Sequence, residues 1–207
     1  MINEQALDML REFINIGMGE AAASLSDLVQ TRVLIKVPEI SVIDVSNIGE
    51  FLGLELSELG VYLSQDFHGE IEGRSILFYT EECSLTLLEA LLESPSEIRT
   101  LTESGRATLQ EVGNIILVSC ISSISDMIGL QTIFEMPVVN VETSDVYFRN
   151  MLKELEKLQK AIVVKNKIAV HNREIDGYLF VLLSFDYFEM IVNKLKDMAE
   201  RCTDSKS

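Results

Sequence analysis

Apolar residues near the start of the chain recur at helical spacing. Plotted at about 100° per residue, Leu7, Leu10, Ile14, Gly17, Ala21, Leu25 and Leu28 form one stripe. A core-facing helix is therefore predicted over Glu4 to Gln30, with Asn3 as its cap. Alternating patterns then predict strands over 33–45, around Pro38, and over 60–67 and 73–79, followed by a Leu-rich helix over 81–92. The second half predicts a helix within 97–128, with a possible break near Gly105, and a strand over 132–146 around Pro137. A charged helix over 146–159, strands over 160–171 and 177–185 and a last helix over 187–201 complete the pattern.

Opposite the first core stripe lies a polar one. Asp8, Glu12 and Asn15 stand at i, i+4 and i+7, so their side chains are neighbours on the helix surface, with Gly19, Ala22 and Ser26 around them. For a single helix this is ordinarily no more than a solvated face. The motif recurs, however. Glu12-x-x-Asn15-Ile16 reappears as Glu111-x-x-Asn114-Ile115, offset by 99 residues, and each asparagine is followed by a proline 23 residues later, Pro38 and Pro137. In the second helix Leu109, Val112, Ile116 and Cys120 face inward, with Glu111 and Asn114 outward. Mid-helix asparagine has poor propensity because its side chain competes for backbone hydrogen bonds. Its repeated use on an outward face points to function.

The hairpin turns are expected to correspond as well. Glu70-Ile71-Glu72-Gly73 matches Glu174-Ile175-Asp176-Gly177 at an offset of 104 residues. The expected architecture is α/β of the α+β type: an internally duplicated antiparallel sheet flanked by long helices, its halves related by a pseudo-two-fold. Residues 1–207 are read as a single domain with repeats at about 1–92 and 97–201.

At these positions the sequence resembles the CheC-type chemotaxis phosphatases (the CheC, CheX and FliY group), whose signature is Asp or Ser, three residues, Glu, two residues, Asn, 22 residues, Pro. Asp8, Glu12, Asn15 and Pro38 match it fully, whereas the second copy has Ala107 in place of the acid or hydroxyl. The resemblance implies a phosphatase that hydrolyses the aspartyl phosphate of a CheY-like response regulator. Asn15 and Asn114 would position the attacking water, and Glu12 and Glu111 would dock on the regulator's lysine. Asp8, Gly19 and Ala22 would contact the partner. No cofactor of the protein's own is implied, since the Mg²⁺ is carried by the substrate. The alternative is a non-catalytic chemotaxis or flagellar-switch binding module, for example a partner of a CheD-type deamidase. At the 99-residue offset Gly19 becomes Val118 and Ala22 becomes Ile121, so the first site is expected to be the more accessible and the dominant one.

Composition narrows the field further. A formal net charge of −16 argues against nucleic acid and against anionic membranes. Three cysteines without a CxxC pattern fit a reduced, cytoplasmic protein. No membrane-spanning stretch is expected. His68 and His171 lack metal-ligand spacing, so no metal site is predicted, and neither a phosphate-binding glycine loop nor a nucleophile elbow is present.

Overall fold

A computed structural model describes residues 2–52, 59–92, 99–154 and 157–204. The first half runs α1 (Glu4–Val29), β1 (Val33–Asp44), a 3₁₀ turn, α2 (Ile48–Leu52), β2 (Leu59–Gly69), β3 (Gly73–Thr80) and α3 (Glu81–Leu91). The second runs α4 (Glu103–Met127), β4 (Thr132–Phe134), β5 (Val138–Thr143), α5 (Ser144–Glu154), β6 (Lys160–Val170), β7 (Arg173–Leu183) and α6 (Phe185–Asp204). All seven strands join one antiparallel sheet in the order β1-β6-β7-β3-β2-β4, with β5 continuing beside β2. The halves meet where β3 pairs with β7.

The pairing registers repeat between the halves. Residues of β1 and of β4–β5 correspond at the 99-residue offset, and their partners on β6 and β2 then correspond at 101 residues. Ile35 pairs with Ile168 as Phe134 pairs with Phe67, and Ile40 with Val164 as Val139 with Leu63. Both prolines interrupt an edge strand at the same point: β1 shifts register between Lys36 and Glu39, and Pro137 separates β4 from β5. A proline has no N–H to give to the ladder, which confines it to such breaks. The caps obey the 104-residue offset: the Thr80 hydroxyl accepts from the Cys83 N–H as that of Ser184 does from Tyr187.

Helices α1, α3, α4 and α6 cover one sheet face over an aliphatic core that includes Leu10, Ile14, Leu63, Ile116 and Val164. The opposite face holds a smaller, aromatic core in which Tyr62 stacks on Tyr147, with Phe148 and Phe180 nearby. Thus α5, expected from sequence as a charged helix, supplies part of the cover for the second face, with Val45 and Ile48 beside it. Against α1 and the sheet, α4 packs so tightly that a Cβ on Gly17 would lie 2.5 Å from the Ser119 carbonyl oxygen. The Ser123 hydroxyl donates to the Phe13 carbonyl one turn away, so the two helices run antiparallel.

Several expectations change. Glu174 to Gly177 is not a turn but part of β7, because His171 and Asn172 both take left-handed conformations (φ 47° and 61°) and close a two-residue hairpin earlier. Gly105 does not break α4; its N–H is capped by the Thr102 hydroxyl. Leu28, assigned to the core stripe, is 54% exposed. By length and mean hydropathy (1.4 over its most apolar window) α4 could cross a bilayer, contrary to expectation, although half of that window is buried in the fold. The expected break at Ser94-Pro95-Ser96 lies outside the described residues.

Candidate active site

The Asn3 carboxamide accepts from the Ala6 N–H and fixes the start of α1. From that start the helical phase carries Glu12 and Asn15 to solvent, where both are exposed, as is Gly19. Nothing lies within 4 Å of where a Cβ on Gly19 would stand, so packing does not require a glycine there. Asp8 is exposed and already ion-paired with Arg11 at 2.6 Å. Among the described residues no hydrogen bond restrains the Asn15 side chain.

Ala22 departs from the expected partner-contacting face: it is 8% exposed. One turn on, the Ser26 hydroxyl donates to the Ala22 carbonyl and accepts from the Val33 N–H, 2.9 Å away, tying this flank of α1 to the start of β1. The predicted stripe was too narrow, because α1 is buried on two sides, against the sheet and against α4. Phe13 and Met18 are accordingly buried as well. Its counterpart Ile121 is 1% exposed and belongs to the core. Half of the steric contrast between the two sites therefore disappears, leaving Val118, which is half-buried, against Gly19.

The second site has the same helical frame and a different floor. Glu111 is exposed and borders a cleft of about 520 Å³ lined by Leu28, Leu91, Leu92 and Thr108. Asn114 is half-buried, and its Oδ1 accepts a 2.9 Å hydrogen bond from Gln65 Nε2. The same nitrogen donates to the Glu135 carbonyl at 2.8 Å, through the gap that Pro137 opens between β4 and β5. Gln110, one turn before Asn114, donates to the Pro137 carbonyl at 2.6 Å. At the 99-residue offset the counterpart of Gln110 is Arg11, which turns instead to Asp8. Pro38 is exposed, whereas Pro137 is buried.

Sequence reasoning missed Gln65. Its signal was an amide interrupting the apolar alternation Val61, Leu63, Gln65, Phe67, matched by Asn166 within Ile162, Val164, Asn166, Ile168. The two amides correspond at the 101-residue offset. Asn166 is 1% exposed; its Oδ1 accepts from the Tyr79 hydroxyl at 3.3 Å, and its Nδ2 has no partner among the described residues. Burial pushes the Tyr79 hydroxyl well above the ordinary tyrosine range, so it stays a donor. Cys120, between the two helices, is likewise raised by burial, to about 12, and behaves as a small core side chain. Among the described residues no group of three or more His, Cys, Asp or Glu side chains could hold a metal ion.

Residues 6–42 match the model of the CheC-like family, a span that contains the whole first signature from Asp8 to Pro38. Over 197 residues the chain is 25% identical to a Bacillus subtilis (strain 168) protein named CheY-P phosphatase CheC, covering 92% of this chain and 93% of that one. In fold it is similar to Thermotoga maritima FliY (TM-score 0.76, 21% identity, 95% of this chain and 98% of that one). It is also similar to a chain of the FliG–FliM complex from H. pylori (TM-score 0.66, 12% identity, 93% and 100% coverage). The family model takes in the first Glu-x-x-Asn unit, and the near-full-length relative bears the name of the same family, so the chain resembles the CheC-like family.

Proposed function

We propose that this protein is a cytoplasmic phosphatase that accelerates hydrolysis of the aspartyl phosphate on a CheY-like response regulator. One observation carries the reading: two Glu-x-x-Asn units present their glutamates to solvent from adjacent antiparallel helices. The similarity to a protein named CheY-P phosphatase supplies the substrate class. Phosphoryl transfer needs positioning and charge stabilisation more than covalent help. The regulator brings its own Mg²⁺ and lysine, and this protein adds an in-line water. A carboxamide offers a donor and an acceptor on one rigid plane, which suits Asn15 and Asn114 to holding that water. Glu12 and Glu111 pair with the regulator's lysine and seat the helix over the phosphate. Asp8 and Gly19 flank the first of these contacts.

The test is phosphate release from a CheY-like regulator kept phosphorylated by a small-molecule phosphodonor and Mg²⁺. The Asn15→Ala, Asn114→Ala double variant should fold normally and lose the acceleration. Full activity in the double variant would place the chemistry elsewhere. Similarity in fold to FliY and to a chain of the FliG–FliM complex supports a second reading, a non-catalytic binding module of the flagellar switch. That reading predicts regulator binding without phosphate release, in the wild type and the double variant alike.

A further inference from the structure

We propose that Gln65 is the positioning residue of the second site: its Nε2 anchors Asn114 Oδ1 to the sheet and so fixes the plane of the water-holding carboxamide. The inference rests on the phosphatase reading above and adds a residue from a different element, β2, to it. Three observations carry it. Gln65 Nε2 has two protons and two acceptors, Asn114 Oδ1 at 2.9 Å and the Glu135 carbonyl at 2.8 Å, so the orientation of its amide is determined by the bonds it makes. Gln65 is 1% exposed, and its Oε1 has no partner among the described residues. A buried unpaired acceptor is a cost that an apolar side chain at this position would avoid. Finally, the break at Pro137 is what brings the Glu135 carbonyl within reach, so the proline of the signature acts here as the opening through which the sheet reaches the helix.

The first half supplies the internal control. Asn166 occupies the corresponding place but is one methylene shorter, and it is engaged by Tyr79 rather than by Asn15. No hydrogen bond holds Asn15 among the described residues. A carbonyl oxygen has two lone pairs, so anchoring Asn114 Oδ1 leaves one free for the water, and its Nδ2 remains a donor. What Gln65 removes is the rotational freedom of the side chain, and a group held in the productive orientation spends less of the barrier on ordering.

The experiment uses two variants, Gln65→Met, which keeps the volume and loses the donor, and Gln65→Asn, which installs the residue of the first half. Each is placed in an Asn15→Ala background, leaving only the second site, and in an Asn114→Ala background, leaving only the first. The readouts are kcat and KM with the phosphorylated CheY-like regulator, thermal stability, and ¹⁵N relaxation of the asparagine side-chain amides. The expected result is a loss in kcat of about tenfold at the second site, with KM unchanged and no change at the first. The Asn114 amide should be more ordered than that of Asn15 in the wild-type protein and become equally mobile in both variants. Using two replacements guards against one that fails to fold. Unchanged second-site kcat in a folded variant would overturn the proposal, as would equal losses at both sites. Equal mobility of Asn114 and Asn15 in the wild-type protein would overturn it too. Should the double asparagine variant keep full activity, the phosphatase reading falls, while amide relaxation still decides whether Gln65 holds Asn114.

Discussion

The two Glu-x-x-Asn sites share a helix phase, a proline spacing and a place over the sheet, yet they differ in how their asparagine is held. At the first, Asn15 is exposed, Gly19 leaves open space one turn on, and the neighbouring Arg11–Asp8 pair closes on itself. At the second, Gln65 and Gln110 tie the helix to the broken edge strand, and Asn114 is half-buried. A repeated motif thus stands in one open and one anchored setting. On the proposed phosphatase reading, access favours docking at the first and order favours turnover at the second. Of the steric grounds for expecting the first site to dominate, the pair Ala22 and Ile121 falls away, since both are buried.

The largest effect should come from disturbing what the sites have in common. Gly17→Val puts a branched side chain where even a Cβ would meet the Ser119 carbonyl at 2.5 Å and the Cys120 Cα at 3.0 Å. Overpacking of this kind costs about 3 kcal/mol, and both sites should lose activity together, read by thermal denaturation and phosphate release. Loss at one site only would mean that the helices hold their asparagines independently. Charge reversal comes next. Glu12→Lys and Glu111→Lys should each raise KM at their own site by about tenfold and leave kcat nearly unaltered; a fall in kcat alone would move glutamate from docking into the chemistry.

Smaller effects separate the floors. Tyr79→Phe removes the donor to Asn166 Oδ1 and should destabilise the protein by about 1 kcal/mol without changing second-site kcat. A change in second-site turnover would show that the two buried amides communicate. Smallest is the β6–β7 hairpin pair of Lys167 and Glu174, 3.0 Å apart. Lys167 lowers the Glu174 pKa, so that contribution is present above the unfolded carboxylate value and is lost as pH falls through the lowered folded one. Glu174 in turn raises Lys167, whose contribution holds below the unfolded lysine value and is lost as pH rises through the raised one. Glu174→Gln should therefore flatten the acid limb of a stability–pH curve slightly; an unchanged limb would show that the exposed pair contributes nothing.

Much of this was legible in the sequence, for reasons that differ by element. The helical period placed Glu12 and Asn15 on the exposed face, and the 99-residue spacing set a second Glu-x-x-Asn unit beside the first. The floor was not legible, because the bond from Gln65 to Asn114 joins residues 49 apart and depends on strand register. Nor was the burial of Ala22, which follows from α1 packing on two sides where a single stripe was drawn. The misplaced turn at Glu174 shows the same limit: Gly177 looked like turn punctuation, but it is a strand residue beside the Tyr79 ring, where a Cβ would lie 2.2 Å from a ring carbon.

The most direct test compares Asn15→Ala with Asn114→Ala, measuring kcat and KM for both with the same phosphorylated regulator. With only the anchored second site left, Asn15→Ala should retain the larger kcat. With only the open first site left, Asn114→Ala should show the lower KM and a kcat several-fold smaller, about the value of one lost positioning contact. Equal kcat values, or a larger kcat in Asn114→Ala, would contradict the claim that anchoring the asparagine is what distinguishes the two sites.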